Sequence, residues 1–228
     1  MNRPTLLIGL GVLADGTAAG GAWWLNGYPA PAASTAASGD GSIVLAQAPG
    51  DMPIFADDRI LGQAEAPVTI IEFSSLTCPH CARFHKDTLP QVKTDWIETG
   101  RARLIYRHYP LDQLALRAAA VANCIQGDGF FSFLDVLFAN QQKWAGSPDP
   151  AKALQQYAAL AGLSPDAFQA CFNDEAVMTR ILEKQTDGRD AYNVASTPSF
   201  VVNGTPVVGA VGYDQFNSVL ETAASKAS

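Results

Sequence analysis

The sequence predicts an α/β fold in which a strand–helix–strand unit and a closing β-hairpin–helix unit are separated by a large all-helical insertion. Three observations predict it. The apolar run VTIIEF at residues 68–73 leads into a helix start, residues 113–192 carry helical patterning without a strand signal, and Asn203-Gly204 lies between two short apolar runs. The chain has 228 residues, 48% of them hydrophobic, which is ample for a real core. Its formal net charge of −7, with no cluster of Lys and Arg, excludes nucleic-acid binding through phosphate neutralisation.

Each element has a local cause. Residues 1–25 open on the positive MNR, continue through the apolar LLIGLGVLA and carry Trp23 and Trp24, so they read as an export segment, either a cleaved signal peptide or an uncleaved membrane anchor. Residues 26–52 are rich in Ala, Ser, Pro and Gly and read as a flexible linker. Folding begins near Pro53. Residues 68–73 lack alternation, the pattern of a strand covered on both faces. A helix then starts at Cys78, with Pro79 in its first turn, a kink or restart at Pro90 and an end at Gly100. Residues 102–108, ARLIYRH, form the second strand. Helices follow at 113–126, 130–144, 150–161, 165–172 and 175–192, with Asp149 and Ser164 each capping a helix that opens on proline. The hairpin strands are 199–202 and 206–209, and a last helix covers 213–225. Residues 53–110 and 193–228 thus make one domain and 111–192 its helical insertion. Without the insertion the connectivity is that of a thioredoxin fold, whose redox site is a C-x-x-C at the start of the first helix.

That motif is Cys78-Pro79-His80-Cys81. A zinc or copper site would need further ligands, and Cys124 and Cys171 do not form a second C-x-x-C, leaving only His80, His85 and His108 as helpers. Covalent haem attachment requires histidine at position 82, which is alanine. A purely structural disulfide across so small a loop adds little stability. Redox chemistry has a physical reason, because free N–H groups and the macrodipole at a helix N-terminus stabilise a Cys78 thiolate. Cys81 lies one turn further in. His80 either supports that thiolate or is a solvated surface residue, and Arg83 and Lys86 read as ordinary surface charges. Glu72, the odd residue in an apolar strand, is either a buried acid beneath Cys81 that relays protons or a strand-end residue reaching water.

EFSSLTCPHC at residues 72–81 and TPSFVVNG at residues 197–204, in that order, resemble the DsbA family of exported thiol:disulfide oxidoreductases. The resemblance runs from about Asp57 to the C-terminus. It implies that Cys78 is the exposed reactive cysteine, Cys81 its partner, His80 a thiolate stabiliser, Pro198 a cis-proline facing the disulfide and Thr197 the neighbouring residue that tunes substrate release. It also places an acid at Glu72 in that strand. Cys124 and Cys171 lie outside both motifs, on helices of the insertion, and in an oxidising compartment they are expected to form a disulfide.

The function expected is that of a periplasmic dithiol oxidase acting on reduced or unfolded polypeptides without a cofactor. It would be a monomer, reoxidised by a membrane partner of the DsbB or quinone-linked type. The rivals are a reductase or isomerase, in which the same pair is held reduced, and a copper- or zinc-binding module without turnover.

Overall fold

The computed structural model describes residues 53–127 and 129–227. The export segment at 1–25 and the linker at 26–52 lie outside the described residues. Five strands form one sheet in the order β1-β3-β2-β4-β5, with β1 at Arg59–Leu61, β2 at Val68–Ser74, β3 at Ala102–His108, β4 at Ser199–Val202 and β5 at Thr205–Val208. β2 and β3 are parallel, pairing Glu72 with Tyr106 and Ser74 with His108, and the other pairings are antiparallel. A parallel pair needs a crossover, which α1 (Pro79–Asp87), α2 (Leu89–Val92) and a π-helical turn (Lys93–Ile97) supply. The predicted kink at Pro90 is therefore a restart with a widened turn behind it.

Between β3 and β4 run α3 (Gln113–Asn123), α4 (Gly129–Ala139), α5 (Gln141–Ala145), α6 (Pro150–Leu160), α7 (Pro165–Phe172) and α8 (Glu175–Tyr192), and α9 (Tyr213–Ala227) closes the chain. The caps follow the sequence. Asp112, Asp149, Ser164 and Asp174 each accept a hydrogen bond from the backbone N–H three residues on. The helix predicted over 130–144 is divided at Asn140, whose side-chain amide turns back to the Val136 carbonyl. Asn203 and Gly204 take the positive φ angles that their hairpin turn requires. The Asn203 side chain also pins the turn to Thr69 N–H and the Pro67 carbonyl.

Both faces of the sheet are covered, as the unbroken apolar strands demand. On one face Val68, Ile70, Leu104, Phe200 and Val202 pack with Phe84 of α1 and Phe216 of α9. The aromatic trio Phe84, Phe200 and Phe216 has ring centroids 4.5–5.3 Å apart. Each such buried side chain contributes ~1.5–3 kcal/mol of transfer free energy. On the opposite face Ile71, Phe73, Ile105 and Val201 make a smaller cluster. There α8 comes so close that a Cβ on Gly188 would lie 2.4 Å from the Phe73 ring. A buried ion pair, Arg107 with Asp58 at 2.6 Å, ties β3 to the segment before β1, and Lys184 of α8 joins it at 3.0 Å from Asp58.

Candidate active site

The site lies where β2 gives way to α1, at the carboxyl end of the parallel strands. Ser75, Leu76 and Thr77 make the turn, Cys78 is the helix N-cap with extended backbone, and Pro79 occupies the first helical position. Three contacts hold this turn. The Gln141 side chain donates to the carbonyls of Leu76 at 2.8 Å and Cys78 at 3.0 Å, and the Thr77 hydroxyl donates to Asp112 at 2.7 Å. Tyr109 N–H reaches the Ser74 carbonyl from the neighbouring strand end. The insertion and the strands thus grip the same loop.

Cys78 and Cys81 stand as free thiols, and their environments push them apart. A hydrogen bond from Cys81 is the main cause that lowers Cys78 to about 5, against the upward pull of burial, with Thr197 and the backbone N–H groups of Cys81 and His80 adding to the effect. Burial, and then Cys78 itself, push Cys81 far above its ordinary value. Cys78 retains 4% of its surface and Cys81 none. Cys78 is therefore less open than the resemblance implied, because the segment before β4 lies against it and the Thr197 carbonyl accepts its S–H at 3.4 Å.

The peptide bond between Thr197 and Pro198 is cis, both residues are buried, and Thr197 lies against Cys78. The Thr197 hydroxyl has no other partner among the described residues and is available to a thiolate. His80 is exposed, with its ring against the Arg83 side chain, and it reaches Cys78 through its backbone N–H. Of the two readings left open for Glu72, the structure takes the buried one. Glu72 is 0% exposed and its Oε1 lies 2.8 Å from His85 Nε2. Cys124 and Cys171 are joined in a disulfide with Cα atoms 6.3 Å apart, fastening the end of α3 to α7 at a distance from the redox pair in sequence and element. Among the described residues no group of three or more His, Cys, Asp and Glu side chains is placed to hold a metal ion.

Sequence reasoning missed four contributors. Gln141 is a polar residue in a short helix, with no local signal that its amide spans 63 residues to Cys78. His85 follows Cys81 by one helical turn, and that i+4 spacing was the available clue to a shared buried face. Ser74 and Tyr106 stand on the same sheet face as Glu72, which the alternation of β2 and β3 foreshadows.

The family profile described as Thioredoxin matches residues 56–222. A Rickettsia typhi chain provisionally named protein-disulfide oxidoreductase is 31% identical over 150 residues, 65% of this chain and 55% of its own. This chain thus spans little more than half the length of that relative. Disulfide bond formation protein D of Bacillus subtilis is 26% identical over 74% of this chain and 78% of its own. The crystal structure of Wolbachia pipientis alpha-DsbA1 superposes with a TM-score of 0.70 at 31% identity, over 75% of this chain and 93% of that one. Matched along 93% of a solved DsbA and by a thioredoxin profile over residues 56–222, the chain belongs to the thioredoxin family, in its DsbA group.

Proposed function

We propose that the chain is a dithiol oxidase that introduces disulfides into exported polypeptides. The observation that carries this reading is the opposed displacement of the two thiols, Cys78 held at about 5 and Cys81 far above its ordinary value. A disulfide whose reduced form is stabilised is a strong oxidant, and Cys78 at about 5 is about 99% thiolate at neutral pH.

In the oxidised chain a client thiolate attacks the Cys78 sulfur. The Cys78–Cys81 bond breaks, its electron pair goes to Cys81, which takes up a proton, and a mixed disulfide joins Cys78 to the client. A second client thiolate attacks the client sulfur of that bond, and the pair leaves on Cys78 as a thiolate. The client loses two electrons and two protons, one proton ending on Cys81 and the other in solvent. Thr197, which lies against Cys78, and Pro198 would meet the extended client, His80 stabilises the leaving thiolate through its backbone, and Glu72 handles the Cys81 proton. Reoxidation is assigned to a membrane partner of the DsbB or quinone-linked type, the compartment to the periplasm, and the working form to a monomer.

The test is catalysed oxidation of a reduced, unfolded polypeptide containing two cysteines, with glutathione disulfide as final acceptor. The reading expects turnover that Cys78→Ser abolishes. A chain that leaves the polypeptide reduced but cleaves insulin disulfides under dithiothreitol is a reductase and overturns it.

A further inference from the structure

Cys81 has to gain and lose a proton in every cycle, yet none of its surface is open to water. Polar groups nevertheless run from it to the far end of α1. Glu72, Ser74 and Tyr106 share one sheet face, the Ser74 hydroxyl faces both Cys81 and Tyr106, and Glu72 Oε2 has no hydrogen-bond partner among the described residues. Tyr106 is held protonated, pushed up by burial first and then by Glu72 and Cys81, so it does not serve as a base. Beyond Glu72 the groups step outward. Glu72 Oε1 lies 2.8 Å from His85 Nε2, His85 Nδ1 lies 3.8 Å from Asp135 Oδ1, and Asp135 Oδ2 lies 2.6 Å from Lys93 Nζ. Side-chain exposure rises along that path from 0% at Glu72 to 3% at His85 and 44% at Asp135. The ring of Phe138 stacks on His85 at 4.0 Å and fixes its orientation. A cleft of about 330 Å³ opens there, lined by His85, Lys86, Lys93, Asp135 and Phe138.

We propose that His85 is a positioning residue that carries protons between Glu72 and Asp135, so that Cys81 communicates with water at the end of α1 remote from Cys78. The inference rests on the redox reading of the Cys78–Cys81 pair. When the disulfide opens, Cys81 leaves as a thiolate. A proton passes to it through the Glu72 carboxyl as His85 gives up the proton on Nε2 and takes one on Nδ1 from the Asp135 side. Reoxidation returns the proton outward by the same atoms and restores the starting tautomer, so no ring flip is required. One proton crosses in each direction per cycle, and the electrons stay with the sulfurs.

The groups that face His85 are Glu72 from β2, Tyr106 from β3, Asp135 from α4 and Lys93 from the π-helical turn, with Cys81 and Lys86 on its own helix. Burial lowers the imidazole, but Glu72 and then Asp135 outweigh it and leave it above its ordinary value of 6.5. A charged relay intermediate is thus accessible at neutral pH.

The experiment follows reduction of the chain's own Cys78–Cys81 disulfide by dithiothreitol, with each rate divided by the concentration of dithiothreitol thiolate. In the natural chain this corrected rate is expected to fall as pH rises through an inflection above 6.5. His85→Gln should lower it about a hundredfold at neutral pH, the small end of general acid–base effects, and remove the inflection. Free imidazole should restore the rate of His85→Ala. Asp135→Asn, a change at the surface, should move the inflection down. A His85→Gln chain with an unaltered rate and profile overturns the inference, and if that variant fails to fold, an unaltered profile in Asp135→Asn does so. Because the assay reads the chain's own disulfide, a chain that shows the profile but oxidises no client contradicts the proposed function alone. Client oxidation with an unaltered His85→Gln profile contradicts this inference alone.

Discussion

Replacing Cys81 by alanine removes the group that contributes most to the ionisation of Cys78. The Cys78 thiolate accepts the Cys81 S–H, and burial opposes it, while Thr197 and two backbone N–H groups assist. A hydrogen bond to a charged group contributes ~1.5–3 kcal/mol, and one pH unit corresponds to ~1.4 kcal/mol, so Cys78 should rise from about 5 by roughly 1–2 units. The ultraviolet absorbance of the thiolate, titrated in the reduced natural chain and in Cys81→Ala, reads this directly. Cys81 does not obscure the signal because it ionises far above that range. The shift carries a stability consequence with a definite sign. Cys78 is depressed from 9.0 to about 5 on folding, so its contribution to the reduced fold is complete above 9.0 and is lost as pH falls through about 5. In Cys81→Ala that loss should be smaller and complete at a higher pH. A variant that still titrates near 5 would refute the reasoning and assign the effect to the helix N-terminus and Thr197.

Three further outcomes follow from the fold. Loss of the Cys124–Cys171 disulfide, through Cys124→Ser and Cys171→Ser together, frees a 47-residue separation and should cost about 4 kcal/mol in urea unfolding by loop entropy. Asp58→Ala leaves the Arg107 guanidinium, whose side chain is 0% exposed, without its main carboxylate and should cost ~3–5 kcal/mol by the same measurement. His108 is buried with neither ring nitrogen hydrogen-bonded among the described residues, and burial first, then Lys184 and Arg59, lower it to about 3. Its neutral form therefore supports the fold above its ordinary 6.5, and that support is lost as pH falls toward about 3. His108→Leu should flatten the decline in melting temperature across this window.

The elements that were legible in the sequence are those with strong local causes. Buried β2 announced itself by an unbroken apolar run, α6 and α7 by caps at Asp149 and Ser164, and the hairpin by Asn203-Gly204. β1 was not legible, because three residues cannot display a period of two and among the described residues it pairs with β3 alone. The break at Asn140 has neither glycine nor proline to mark it. At the site, the redox cysteines, Thr197 and Pro198 were visible as motifs, whereas Gln141 and His85 act across tertiary distances that motifs do not encode. Cys78 is closed in for the same reason, since the segment that lies against it is 119 residues away in the chain.

The most direct test of the oxidase reading is the equilibrium of Cys78–Cys81 with glutathione redox buffers, quantified by trapping free thiols and with the Cys124–Cys171 pair intact. The displaced thiols predict a pair far more easily reduced than a structural disulfide, with a potential of roughly −180 mV or higher against below about −300 mV for structural bonds. A potential at or below roughly −270 mV would contradict the reading and make the chain a reductase.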